Sequence, residues 1–185
     1  RHGLSRYVGK SIVWFDTSAN KKKSQKRTKG GSYINEEEKR IILEILDDLK
    51  STGELKGLDI GIITGYSGQK ELLRKSIKAT GLDKIASKID INTLDAFQGR
   101  ENDIIIYSTV RTRDSIGFQK EKERVNVAFS RAKKLLIVCG DKNFFYNFDD
   151  QDNKFVEIID YISEEEECEI IQCDGGKLFE RESNS

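Results

Sequence analysis

The chain is expected to fold as an α/β domain: a mainly parallel sheet with helices on both faces. Three observations predict this. Short β-branched runs alternate along the chain with segments of helical periodicity. The runs are almost continuously apolar, as in strands buried on both faces. At 185 residues the chain is long enough to bury one proper core.

The elements follow in order. Residues 1–10 are polar and read as a lead-in, residues 11–163 as the domain, and residues 164–185 as an acidic, flexible end. Ser11–Phe15 is the first strand. Residues 20–31 carry Lys21, Lys22, Lys23, Lys26, Arg27 and Lys29 and read as a mobile, solvated basic loop, with a phosphate-attracting loop as the alternative. Asn35 opens a helix with Glu38 three residues on, the spacing of a capping box. Ile41, Ile42, Ile45, Leu46 and Leu49 then recur at helical spacing, and Gly53 marks the stop. Leu58–Thr64 is a strand, followed by a polar turn into a helix over Gln69–Ala79. Lys88–Thr93 and Ile104–Val110 are strands joined by a short connection, in which one helical turn should carry Phe97 inward. A helix over Lys122–Lys133, a strand over Lys134–Cys139, a packing patch of Phe144, Phe145 and Phe148, and a helix carrying Phe155, Ile158, Ile159 and Ile162 complete the domain.

Composition removes several function classes. Lys and Arg number 32 and Asp and Glu number 32, so any nucleic-acid contact must come from a local patch. His2 is the only histidine, which excludes a Ser-His-Asp set. Cys139 reads as core, and Cys168 and Cys173 complete neither a zinc site nor a disulfide framework, so reduced thiols in a cytoplasmic protein are expected. Asp90, Asp95 and Asp103 read as surface carboxylates rather than a nuclease metal site, and no metal ligand is assigned. No apolar run reaches the ~18 residues of a membrane span. Methionine is absent, as expected of a piece of a longer protein. No G-x-x-x-x-G-K-[ST] phosphate loop occurs, so this chain alone should bind a nucleoside triphosphate poorly.

Two stretches carry candidate chemistry. Thr93–Glu101 holds a hydroxyl, a carboxamide, a glycine and carboxylates. Arg124–Ala132 sets Arg124 and Arg131 seven residues apart, about two helical turns, with small Ala128 between them. Such a face is either solvated or suited to an anion approached closely. Thr64, Thr93 and Arg111 fall at expected strand ends, where ligands gather on α/β sheets.

Thr93-x-Asp95-x-Phe97-Gln98-Gly99-Arg100-Glu101 resembles motif V of superfamily I helicases, and Arg124-Val125-Asn126-Val127-Ala128-Phe129-Ser130-Arg131-Ala132 resembles their motif VI. Thr64-Gly65-Tyr66-Ser67-Gly68-Gln69 resembles their motif IV, with Gly65 in place of the usual Pro; it reads equally as a βα turn capped by Ser67. The branch most resembled is the 5′-to-3′ one that includes the nonsense-mediated-decay helicase and its DNA-processing relatives.

The resemblance implies the second RecA-like domain of a P-loop NTPase-type motor. Arg131 would be the arginine finger and Glu101 its catalytic companion. Gln98, Gly99 and Arg124 would contact ATP. Thr64, Tyr66, Gln69, Thr93, Arg111 and Asn126 would face single-stranded DNA or RNA. ATP and Mg2+ would be held mainly by an N-terminal RecA-like domain of the same protein. The competing expectation is a RecA-like module that binds nucleic acid or protein without hydrolysis.

Overall fold

The computed structural model describes residues 3–86, 88–97, 100–117 and 122–180, and of residues 122–125 the backbone alone. Six parallel strands form the sheet: β1 (Ile12–Asp16), β4 (Asp59–Thr64), β5 (Lys88–Thr93), β6 (Asn102–Ser108), β7 (Ala132–Gly140) and β8 (Cys168–Gln172). Their order is β5-β4-β6-β7-β1-β8. A separate antiparallel ribbon pairs β2 (Lys26–Arg27) with β3 (Tyr33–Ile34). The helices are α1 (Glu36–Ser51), α2 (Ser67–Thr80), α3 (Lys122–Phe129), α4 (Lys142–Tyr146) and α5 (Lys154–Glu164).

Strand parity divides the core into two layers. Val13, Phe15, Ile60, Ile62, Ile104, Ile106, Leu135 and Ile137 face α1 and α2, meeting Ile42, Ile45 and Leu73. Trp14, Ile63, Ile105, Tyr107, Leu136 and Val138 face the opposite layer of α3, α4 and α5, meeting Ala128, Phe145 and Phe155. Helices therefore cover both faces of a parallel sheet, the arrangement of a RecA-like P-loop NTPase fold.

The structure departs from the sequence reading in four places. Within the stretch expected as a flexible acidic end, Cys168–Gln172 forms β8 beside β1. Its Cys-Glu-Ile-Ile run follows four glutamates that hide the strand signal, and a strand at the sheet edge tolerates a charge. The basic stretch forms an ordered ribbon, anchored by Gln25, which is buried. α3 ends at Phe129, so Arg131 leaves from the turn into β7 rather than from a helix face shared with Arg124. The helix closes early because Ser130 N donates to both Asn126 O and Val127 O while Ser130 Oγ also donates to Val127 O. Finally, the capping box is half formed. Asn35 Oδ1 accepts from Glu38 N at 3.0 Å, but Gln69 Oε1 takes the Asn35 amide at 2.8 Å and Glu38 points into the core.

The connection into β6 follows expectation. Asp95–Phe97 is one 3₁₀ turn, and Phe97 is fully buried. Gly61 on β4 makes room for it, since a Cβ there would lie 2.6 Å from Phe97 Cζ.

Candidate functional site

In a parallel sheet every strand starts at one edge and ends at the other, and the candidate residues divide between these edges. β6 is seven residues long, which separates the edges by roughly 20 Å.

At the starting edge, Glu101 immediately precedes β6 and Arg131 immediately precedes β7, two neighbouring strands with Asn102 opposite Ala132. The Asn102 amide donates to the Arg131 carbonyl at 3.2 Å, which brings the two residues to one rim. Glu101 is exposed and Arg131 half-buried. The Arg131 Nε is shielded from solvent and has no hydrogen-bond partner among the described residues. Asn126 is exposed on the last turn of α3 and belongs with this rim, because its carbonyl accepts from Ser130 N next to Arg131. The Arg124 backbone lies on α3 and its side chain is outside the described residues, as are Gln98 and Gly99 altogether.

At the finishing edge, Thr64 and Thr93 are register partners on β4 and β5. Beside them opens a cleft of about 400 Å³. Its walls are the ribbon tip (Gly30 to Tyr33), the turn Gly65 to Ser67, and Thr93 to Asp95. The ribbon seats tightly on α2: Ser32 Oγ accepts from Gly68 N at 3.0 Å, and a Cβ on Gly68 would meet Ser32 Oγ, Thr28 Cγ2 and Tyr33 O at 3.1 Å. Tyr33 and Tyr66 pack edge to face with ring centroids 5.6 Å apart. The Arg111 guanidinium stacks 4.1 Å over the Tyr33 ring and donates through Nε to Gln25 Oε1 at 3.0 Å. Arg111 is only 5% exposed, and Thr64 and Gln69 are fully buried, so these three lie behind the cleft surface rather than on it.

Beneath the cleft runs a continuous polar network. Gln69 Nε2 donates to Asn35 O and to Ser108 Oγ, each at 3.1 Å. Ser108 Oγ in turn donates to Glu38 Oε1 at 2.9 Å, and Val110 N donates to the same oxygen at 2.9 Å. Asn35 Nδ2 donates to Val110 O at 3.0 Å and to Lys23 O at 2.6 Å. Val110 is thus held at both its amide and its carbonyl in a left-handed conformation (φ 66°), which costs a β-branched residue about 1–3 kcal/mol. That bend delivers Arg111 to the tyrosines. Burial pushes the Glu38 carboxyl up to about 8, against the Val110 amide and the Ser108 and Thr109 hydroxyls, which favour its charged form.

Sequence reasoning gave Glu38 only a capping role and did not single out Gln25. A signal for Glu38 was present: it lies on the same helical face as Ile41, Ile42 and Ile45, so it had to be buried with them. Gln25 carried no such signal, because its partners Arg111 and Thr112 lie far along the chain.

Comparisons with known proteins converge on one group. Residues 4–143 match the family described as AAA domain. An uncharacterized ATP-dependent helicase of Methanocaldococcus jannaschii is 38% identical over 144 residues, covering 76% of this chain and 20% of that protein. The DNA polymerase alpha-associated DNA helicase A of Saccharomyces cerevisiae is 36% identical over 138 residues, covering 70% of this chain and 19% of that protein. Helicase SEN1 of the same yeast is 39% identical over 125 residues, covering 64% of this chain and 6% of that protein. The chain therefore spans a fifth or less of these relatives. Among described residues no helix is long and apolar enough to cross a membrane.

Proposed function

The chain belongs to the AAA domain family, and on that premise we propose that it is the second motor domain of an ATP-dependent superfamily I helicase acting on single-stranded nucleic acid. The observation that carries the reading is the shared rim: the Asn102–Arg131 backbone bond sets Arg131 beside Glu101 at the start of adjacent strands. A guanidinium there, with one donor unmatched, is suited to complete a triphosphate pocket supplied by a neighbouring domain. The sequence has no phosphate loop, so ATP is a substrate shared with that neighbour, which also holds the magnesium. Arg131 would neutralise charge as it develops on the γ-phosphoryl group, and Glu101, with Gln98, Gly99 and Arg124, would line the nucleotide side. Because the finger reaches the γ-phosphate only in the closed arrangement, hydrolysis would couple to domain motion.

The cleft at the opposite edge would carry the strand. Tyr66 and Thr93 line it: Thr93, half-buried, would offer a hydroxyl for backbone contact without base reading, and Tyr66, itself only 5% exposed and packed on Tyr33, would form the wall behind it. Thr64, Gln69 and Arg111 would act by positioning that surface. Asn126, grouped with Arg131, would serve the nucleotide rim.

The test is Arg131→Ala in the full-length protein. ATPase should fall by about 10³–10⁵-fold while single-strand affinity stays within a few-fold. ATPase at a near-normal rate would sink the assignment and favour the competing reading, a module that binds without hydrolysing.

A further inference from the structure

The ribbon that walls the cleft also carries the densest run of positive charge in the chain. Residues 21–29 hold six lysines and arginines and no carboxylate, in a protein whose 32 basic and 32 acidic residues balance overall. One of the six is accounted for: Lys23 Nζ pairs with Asp141 at 2.7 Å and so pins the base of the ribbon. Lys21, Lys22, Lys26, Arg27 and Lys29 are exposed and have no ion pair among the described residues. A solvated, floppy loop would spread such charges apart. Here the backbone that carries them is fixed. Thr28 N donates to Ser32 O at 2.8 Å and Ser32 N donates to Thr28 Oγ1 at 3.1 Å, closing the tip around Gly31, whose φ of 88° suits glycine. At the base, Gln25 N donates to Thr112 Oγ1 at 3.1 Å and Gln25 Oε1 accepts from Thr112 N at 2.9 Å.

Like charges crowded onto one short ribbon without carboxylates repel one another, and a polyanion relieves that repulsion. The position of the ribbon points to which polyanion. Its tip residues Gly30 and Gly31 form part of the cleft, and Lys29 and the β2 residues Lys26 and Arg27 lead from that tip away from the cleft along the chain. Lysines and an arginine without a carboxylate among residues 21–29 are the composition expected for contacts to backbone phosphates.

We propose that Lys26, Arg27 and Lys29 extend the cleft into a longer track, gripping the phosphates of a single strand beyond the segment the cleft holds. This rests on the reading of the cleft as a single-strand site, and the test separates the two. Binding of a fluorescein-labelled 15-nucleotide oligothymidylate to the full-length protein is followed by anisotropy between 50 and 300 mM salt. At about 0.7 per phosphate contact on a single strand, Lys26→Ala/Arg27→Ala/Lys29→Ala should make the slope of log K against log salt shallower by about 2 and weaken low-salt binding at least about tenfold. Lys26→Arg/Lys29→Arg should keep the parent slope. A triple variant with an unchanged slope, beside a parent that binds with salt dependence, overturns the extended track and leaves the cleft reading intact. A parent that binds no oligothymidylate overturns the cleft reading and this inference with it. Polyglutamate binding as tightly as the oligonucleotide, and losing affinity in the triple variant, assigns the ribbon to an acidic protein and overturns the inference.

Discussion

At the finishing edge of the sheet Asn35, Glu38, Gln69 and Ser108 are buried and bonded to one another and Arg111 is buried against Gln25 and Tyr33, whereas at the starting edge Glu101 is exposed and Arg131 keeps an Nε unmatched among the described residues. The first region is preorganised by its own chain. It spends strain at Val110 and buries a carboxyl to hold a bend and two rings in place. The second is held chiefly by backbone: one amide–carbonyl bond sets Arg131 beside the strand start that follows Glu101. On the proposed reading the finished edge takes the strand by itself and the open edge takes ATP only with a neighbour.

The contrast can be broken or sharpened by substitution. The ATPase loss expected of Arg131→Ala is the largest effect, and it should come with almost no change in folding stability. Asn35→Ala should do the reverse. It removes a helix cap and leaves the Val110 and Lys23 carbonyls short of a donor, costing about 2–4 kcal/mol in urea unfolding. A cost below about 1 kcal/mol would show that the buried network is not what holds this edge.

Glu38→Gln tests the same network through pH. The folded carboxyl titrates near 8 and the unfolded one near its ordinary 4.5, so between these values the folded state keeps a proton that the unfolded state has lost. The contribution of this group is therefore most favourable below about 4.5, declines as pH rises through the window, and levels off above about 8. Glu38→Gln should flatten that part of the stability–pH curve; a parallel curve would show that the carboxyl does not titrate there. The smallest effect belongs to Glu101→Gln. Its side chain is exposed, so stability should shift by no more than about 0.5 kcal/mol, while ATPase of the full-length protein falls. A stability loss above 1 kcal/mol would mean that the starting edge is structurally tied after all.

What could be read in advance follows the range over which each feature is determined. The strands of the sheet centre and the helices α1, α2 and α5 showed in local periodicity, because buried parallel strands and amphipathic helices write their burial into neighbouring residues. Phe97 was assigned inward from connection length alone, and Gly61 accommodates it. β8 was hidden by its glutamates, and the ribbon by its lysines, because charge at an edge or on a free ribbon masks a backbone pattern set by distant partners. The grouping of Glu101 with Arg131 was expected from motif resemblance. The burial of Glu38 was legible in its helical face, but its partners, and the roles of Gln25 and the left-handed Val110, were not, since each depends on contacts more than 70 residues apart in the chain.

The connection from Thr93 to Asn102 leaves the sheet at one edge and re-enters at the other. It must cover about 22 Å: the length of β6, and the sideways step past β4. Only eight residues make that crossing, with Asp95–Phe97 wound into a 3₁₀ turn and Arg100 N donating to Phe97 O at 3.3 Å. With Phe97 wedged beneath it as a fixed peg, a tug on the threonine end and a tug on the glutamate end meet the same anchored side chain.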